Sequence, residues 1–471
     1  MDLLKNFPID LLYIILNYDP ESFFLNISKS ELLKYDWARL IKMSFSLTYQ
    51  RESCTNKQMM NVYKHNYYRT KSKIICGLTY TFILGDEKLT QFGDLRTIRP
   101  KFCERATEKL KNMTEVICGH SYAIVVLADG TLLSYGNNDS GQLGVRDNLN
   151  RNFFERITGI PKNIAEVVCS EESTIIRLTN GTLLACGNNY YGQLGLGDNL
   201  NRYAFEEIKG IPKNIVEVIC NEFDTIIRLT DGTLMRCGNN ENGYLGFGDS
   251  RDRFSFEGIS GIPKNIVKVI CSARTTIIML TDGTLMGCGA NMFGELGLGY
   301  NRDVTLFEEI TGIPKNIKEV ICGLWHTIIR FANGRLMSSG YNRFGQLGLG
   351  DTVNRNIFQE IKGIPKDIVA VKNINHHTIV VLGDGRLMGC GFNNFGFLGF
   401  GDNRSRNSFE EIKGIPTNIA EVICGKLHTV IRLTNGTMMS CGYNYGGQLG
   451  LRDNLNRYRF EEISLKGDLK E

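Results

Sequence analysis

From about residue 74 to the end of the chain, apolar residues arrive in short bursts of five or six, and no stretch there keeps a helical spacing. Between Ala204 and Cys237 the bursts cover 204–208, 216–220, 225–229 and 233–237, rich in Ile, Val, Thr and Leu. Turn residues bound them: Gly-Ile-Pro-Lys-Asn before the second, and Asp231-Gly232 between the third and fourth. Asp-Gly or Asn-Gly recurs at the same point in Asp129-Gly130, Asn180-Gly181, Asp282-Gly283, Asn333-Gly334, Asp384-Gly385 and Asn435-Gly436. Such pairs supply the positive φ angles of a tight hairpin, so the pattern predicts antiparallel strands, four to a unit.

The units repeat. A Gly closing a short apolar strand stands at Gly136, Gly187, Gly238, Gly289, Gly340, Gly391 and Gly442, and every interval is 51 residues. Four strands per unit, repeated without drift, fit a β-propeller. A single blade cannot bury both of its faces, so blades must stack, and closing the ring protects their edges. Residues 74–93 match the last three strands of a unit, and the chain ends on one extra first strand near 458–463. Three amino-terminal strands and one carboxy-terminal strand predict a composite closing blade, giving eight.

The Gly-Gln-Leu-Gly-Leu-Gly-Asp loops, at 192–198 and 345–351, and the Cys-Gly-x-x-His-Thr strand starts, Cys322 to Thr327 and Cys424 to Thr429, resemble the regulator of chromosome condensation repeat. The resemblance covers about 73–463 and implies a propeller of seven blades. The expected fold is therefore an all-β propeller over 74–463, seven-bladed by resemblance and eight-bladed if 74–93 joins the ring. The resemblance also implies guanine-nucleotide exchange on a small GTPase. That activity needs a wedge inserted in one repeat, and a constant 51-residue frame leaves no room for it.

Residues 1–50 follow a different pattern. Asn6 can cap a helix starting near Pro8, and Leu11, Leu12, Ile15 and Leu16 place an apolar stripe along it. Ser28-x-x-Glu31 reads as a capping box for a second helix carrying Leu32, Leu33, Trp37, Leu40 and Ile41. A small α-helical module is expected. The string from Phe7 to Leu16, with Trp37-Ala-Arg-Leu40 downstream, resembles an F-box. This resemblance implies that Phe7, Pro8, Leu11, Leu12, Ile15 and Leu16 dock on a Skp-type adaptor of a cullin ubiquitin ligase. A helical cap packed on the propeller is the alternative. Residues 51–73 read as a basic linker and 464–471 as a polar tail.

Charge changes the picture only when divided. The total is +4. Residues 1–50 carry five Lys/Arg against six Asp/Glu, 51–73 six against one, and 74–471 forty-three of each. A body with balanced charge disfavours nucleic acid as the principal partner. The longest apolar run near the start, Ile9 to Leu16, contains Asp10 and is too short to span a membrane. No secretion-signal pattern opens the chain, and an intracellular protein, cytoplasmic or nuclear, is expected.

Twelve of the fourteen cysteines fall at two phases of the repeat. Cys76, Cys118, Cys169, Cys220, Cys271, Cys322 and Cys424 share one; Cys186, Cys237, Cys288, Cys390 and Cys441 share the other. Small apolar side chains packed in blade cores account for this, and the Cys-x-x-Cys spacing of a zinc site is missing. His326, His377 and His428 share a phase too, which points to a structural hydrogen-bonding role. Arg151, Arg202, Arg253, Arg355, Arg406 and Arg457 each follow an Asp by four residues in most units and are expected to pair with it. Lys162, Lys213, Lys264, Lys315 and Lys366 form a second periodic set. No catalytic, metal or cofactor site emerges.

One loop position varies where its surroundings do not. Tyr191, Phe293, Phe344 and Phe395 occupy it in four units and form a candidate apolar patch for a protein partner, although each aromatic could equally cover its neighbouring blade. The function expected is protein–protein interaction: a propeller that captures a partner, linked to a cullin ligase through the F-box-like string. Nucleotide exchange and a scaffold without a ligase link are the alternatives.

Overall fold

The computed structural model describes residues 74–76, 80–85, 88–93, 105–109, 113–272, 274–374 and 376–464. The F-box-like residues Phe7 to Leu16, the expected helical module at 1–50, the linker at 51–73 and nearly all of the tail lie outside these residues. The stretch from Ile74 to Leu433, with Thr437 onward, forms one compact unit. Among the described residues it is all strand and turn, without a helix.

Among the described residues, thirty-two strands assemble into eight four-stranded antiparallel sheets, each made of consecutive strands. Blade 1 comprises Ile74–Cys76, Tyr80–Gly85, Lys88–Gly93 and Arg105–Lys109. Blade 2 comprises Met113–Cys118, Tyr122–Leu127, Leu132–Gly136 and Arg151–Arg156. Blades 3 to 8 follow at 164–207, 215–258, 266–310, 317–360, 368–411 and 419–462. The first strands of successive blades approach one another and form the inner wall, while the fourth strands lie outermost.

The blade number corrects the seven implied by resemblance. Residues 74–93 do join the ring, because Lys88–Gly93 finds its own outer partner in Arg105–Lys109. The expected composite closing blade is also corrected. Arg457–Glu462 pairs with Met438–Gly442 of its own blade, so each sheet is built from contiguous chain. The burst at 204–208 likewise belongs to the preceding blade, where Leu184 faces Glu207 and Ala185 faces Glu206.

The Asp-Gly turns differ slightly from expectation. Gly232 has φ of +82°, but Asp231 stays at negative φ. The Gly232 N–H donates to Leu229 O and the Leu229 N–H to Thr233 O, each at 2.9 Å, as in a three-residue hairpin loop with a glycine bulge. Asp231 contributes its side chain instead, accepting the Thr233 N–H at 3.0 Å.

Burial on two sides explains why the strand next to the inner wall reads as a continuous apolar run. In blade 4, Ile227 packs with Ile175, Leu183 and Leu194 of blade 3. Its neighbour Ile226 packs with Ile278, Cys288 and Phe307 of blade 5. The ring closes by the same means: Ile74, Ile83 and Phe92 of blade 1 pack with Val430, Met438 and Ile463 of blade 8.

The outer edges of blades 4 to 8 are each covered by the preceding blade. The Gly197 N–H donates to Phe254 O at 2.8 Å, and the same bond runs from Gly248 to Thr305, Gly299 to Asn356, Gly350 to Asn407 and Gly401 to Tyr458. Gly195 is indispensable to this approach. Its φ is +69°, and a Cβ there would lie 2.5 Å from the Phe256 ring.

Candidate partner-binding face

Two kinds of connection emerge at one end of the ring: the turn from the inner strand to the second, as at Gly119-His-Ser121, and the long loop from the third strand to the outer, as at 137–150. The hairpins and the Gly-Ile-Pro segments lie at the other end. The long loops share one scaffold. A buried Asn accepts the N–H of a Leu five residues on, at 2.9 Å in Asn138–Leu143, Asn189–Leu194, Asn240–Leu245, Asn291–Leu296, Asn342–Leu347, Asn393–Leu398 and Asn444–Leu449. The frame is constant, and the side chains it presents are not.

Tyr191, Phe293, Phe344 and Phe395 all stand at these loop tips. Three of them cover the turn of the following blade: Tyr191 meets Phe223 at 5.6 Å, Phe293 meets Trp325 at 5.4 Å, and Phe344 meets His376 at 5.5 Å between ring centroids. Phe395 stays more than one-third exposed. Packing and exposure therefore coexist. Phe293, Phe344 and Phe395 also belong to one unbroken arc across blades 5 to 8. Rings touch in the order Trp325, Phe293, Tyr341, Phe344, Phe392, Phe397, Phe395, Tyr443 and Tyr445, with centroids 4.8–6.2 Å apart. Tyr191 stands apart from them in blade 3, beside Tyr190, which is 67% exposed.

Sequence reasoning missed Tyr341, Phe392 and Tyr443. A signal existed: the residue after the strand-closing Gly is Asn137, Asn188 and Asn239 in blades 2 to 4, then becomes aromatic in blades 6 to 8.

The inner wall also opens onto this face. A cavity of about 320 Å³ is lined by Cys76, Cys118, Cys169, Cys220 and Cys424 with the turns above them. These inner-strand cysteines line the channel and also pack against the blade cores as expected, Cys424 as a buried member of its cluster and Cys76, Cys118, Cys169 and Cys220 at the edge of theirs. Cys186, Cys237, Cys288, Cys390 and Cys441 are buried in the cores as expected. Burial holds every one of these thiols protonated; it pushes Cys169 and Cys424 up to about 12. At the mouth the Lys426 ammonium donates to Glu171 at 2.6 Å, with His120 Nδ1 3.7 Å from the same carboxylate. Burial lowers the His120 pKa against the pull of Glu171. Glu222 is raised by burial and by the charge of Glu171. Among the described residues, no group of three or more His, Cys, Asp or Glu is placed to hold a metal ion.

The periodic charges are satisfied locally. Arg151, Arg202, Arg253, Arg355, Arg406 and Arg457 pair with Asp147, Asp198, Asp249, Asp351, Asp402 and Asp453 at 2.5–2.9 Å. At the opposite end Lys162, Lys264 and Lys315 meet Asp129, Asp231 and Asp282. His326 and His428 each face a Thr of the next blade: Thr378 Oγ1 at 3.5 Å and, across the ring closure, Thr81 Oγ1 at 2.9 Å.

Family models for the regulator of chromosome condensation (RCC1) repeat match residues 164–193, 180–221 and 317–346. These segments of the chain therefore match the RCC1 repeat. It is 27% identical over 367 residues to the ultraviolet-B receptor UVR8 of Arabidopsis thaliana, covering 75% of this chain and 82% of that one. It is 31% identical to human HERC4, a probable E3 ubiquitin-protein ligase, over 57% of this chain and 26% of that protein. The chain thus spans about a quarter of that ligase. In shape, the ring is similar to yeast RCC1 (Prp20) solved bound to Kap60, with a TM-score of 0.57 at 17% identity over 77% of this chain and 91% of that one. Human WBSCR16 aligns with a TM-score of 0.54 at 19% identity, over 69% of this chain and 86% of that one. These two support the fold alone.

Proposed function

We propose that this RCC1-repeat propeller is a protein-interaction module that captures its partner on the face carrying the aromatic arc. The observation that supports it most is that arc: partly exposed Trp, Tyr and Phe side chains spread over four blades, joined through the buried ring of Phe397, on a scaffold whose other positions repeat almost unchanged. Aromatic side chains bury large area at small entropic cost, which is why they dominate interface energetics. Phe293, Phe344, Phe395 and Tyr191 are the sequence-selected members of the face, with Trp325, Tyr341, Phe392 and Tyr443 added by their contacts. Local Arg–Asp and Lys–Asp pairing leaves less free charge for a nucleic-acid surface.

The amino-terminal string extends this reading to a ubiquitin-ligase receptor. Phe7, Pro8, Leu11, Leu12, Ile15 and Leu16 would hold a Skp-type adaptor and its cullin, and the propeller would hold the substrate. This extension rests on the F-box-like sequence. Probable ligase activity among relatives such as HERC4 accords with an RCC1-repeat propeller serving a ligase, through parts those proteins do not share with this chain.

An affinity pull-down tests both parts. It compares the intact protein with Leu11→Asp/Leu12→Asp and with Phe344→Ser/Phe395→Ser. Recovery of adaptor and cullin is expected for the intact protein and the second variant, but not the first. Other partners are expected to disappear with Phe344→Ser/Phe395→Ser. Full retention of every partner by that variant would refute the aromatic face, and absence of ligase components throughout would leave a scaffold.

A further inference from the structure

The face that carries the arc is electrically divided. Its presented positions are the inner turns (119–121 and their repeats) and the loop tips (137–140 and theirs). In blades 2 to 4 these positions hold Asp139, Glu171, Glu172, Glu222 and Glu241 and no Lys or Arg. In blades 5 to 8 they hold Arg274, Arg343 and Lys426 and no Asp or Glu. The positive half is therefore also the aromatic half.

The cations on it are available to different degrees. Lys426 is turned to Glu171 across the channel mouth. Arg274 and Arg343 are exposed, and the Arg274 guanidinium lies over the Trp325 ring, 5.5 Å from its centroid. Arg343 and Phe344 together border a groove of about 310 Å³ running outward to Thr352 and Ser405. The groove's second arginine, Arg406, is already held by Asp402 and Glu410. An anionic group entering it meets Arg343 and Phe344 at one end and, at the other, Glu410 already paired with Arg406.

We infer that the arc binds an acidic protein segment bearing aromatic or long aliphatic anchors, its carboxylates meeting Arg274 and Arg343 and its apolar side chains lying on Trp325, Tyr341, Phe344 and Phe392. The inference rests on the partner-binding reading of this face and specifies the partner's chemistry. Charge complementarity selects the occupant. A basic segment is repelled from this half, and a neutral apolar one leaves Arg343 without a counter-charge, while Arg274 keeps only the charge of Glu222 nearby. A nucleic-acid strand would need a run of cations to follow its phosphates, whereas two free arginines at this face suit scattered carboxylates. Arginine beside aromatic rings is also the composition of interface hot spots.

The test is selection of linear peptides from a random display library on the full-length protein, then anisotropy of the best labelled peptide at low and high salt. Peptides with several Asp or Glu around aromatic or Leu residues are expected. Arg274→Glu/Arg343→Glu should weaken binding by about tenfold or more and reduce its salt dependence. Phe344→Ser/Phe395→Ser should abolish it. Selection of neutral or basic peptides, no selection at all, or indifference to the charge reversal would overturn the acidic partner. Loss of binding in the Phe variant alongside those results would still leave the face as a binding surface; binding unchanged in the Phe variant would remove the face itself. A concentration-dependent dimer abolished by the Arg reversal would assign the surface to a second copy and also overturn the proposal. Unchanged melting temperatures of the variants exclude misfolding as the cause.

Discussion

Three buried substitutions within otherwise repetitive blades carry residue-level consequences. Blade 4 holds Asp224 and Arg236, 4–5% exposed and joined at 2.8 Å, where blade 3 has Ser173 and Ala185. The guanidinium also donates to Tyr244 O at 3.1 Å. Removing one partner of a buried pair strands a charge, so Arg236→Ala should cost about 3–5 kcal/mol in urea denaturation. Converting the pair to its blade 3 counterpart, Asp224→Ser with Arg236→Ala, should recover most of that loss. Glu295 replaces the Gln found at 142, 193, 346 and 448. It is 1% exposed, one of its oxygens has no partner, and burial raises its pKa to about 7. A carboxyl that prefers its proton when folded supports the fold fully below the ordinary value near 4.5 and withdraws that support as pH rises towards 7. Glu295→Gln should therefore stabilise the protein at pH 8, by up to roughly 3 kcal/mol, and do little at pH 4.

At the scale of the strand, the histidine column works in the opposite direction. His326, His377 and His428 begin the second strands of blades 6, 7 and 8 and are almost fully buried. Burial lowers their pKa values to about 3, 4 and 3 from an ordinary 6.5. Below 6.5 the unfolded chain takes up protons that the folded one refuses. Each histidine then costs about 1.4 kcal/mol per pH unit until its folded pKa is reached. Denaturation at pH 7.5, 6.5 and 5.5 should show stability falling steeply across the last interval, and His326→Gln/His377→Gln/His428→Gln should flatten that fall. These strands were legible in the sequence because burial on two faces and glycine-bearing turns leave a strong local signal. Their grouping into blades was not, since the outer strand follows a fourteen-residue loop, 137–150, whose path no local pattern specifies. The aromatics at 293, 344 and 395 were visible as a variable column. Their contacts with Trp325 and His376 were not, because radial stacking sets a loop tip of one blade against a turn of the next.

For the whole molecule, the number of blades followed from counting strands rather than from resemblance, and the count was right for a partly wrong reason. Among the described residues there are eight complete sheets, none of them shared between the first and last blades. The junction of blades 8 and 1 is made by the side-chain cluster around Phe92 and Val430 and by Thr81, whose hydroxyl donates to Gln448 O at 2.8 Å. Thr174 makes the same bond to Gln142 O between blades 2 and 3, also at 2.8 Å, so the closing joint resembles any other. A ring of this kind is, mechanically, a necklace with a clasp and no stitch. Stretched between its termini in an optical trap, it should open first at the clasp and then shed whole blades one after another. Each rupture would lengthen the tether by one 51-residue repeat, on the order of 17 nm of extended chain. A single all-at-once release would show instead that the eight sheets yield as one body.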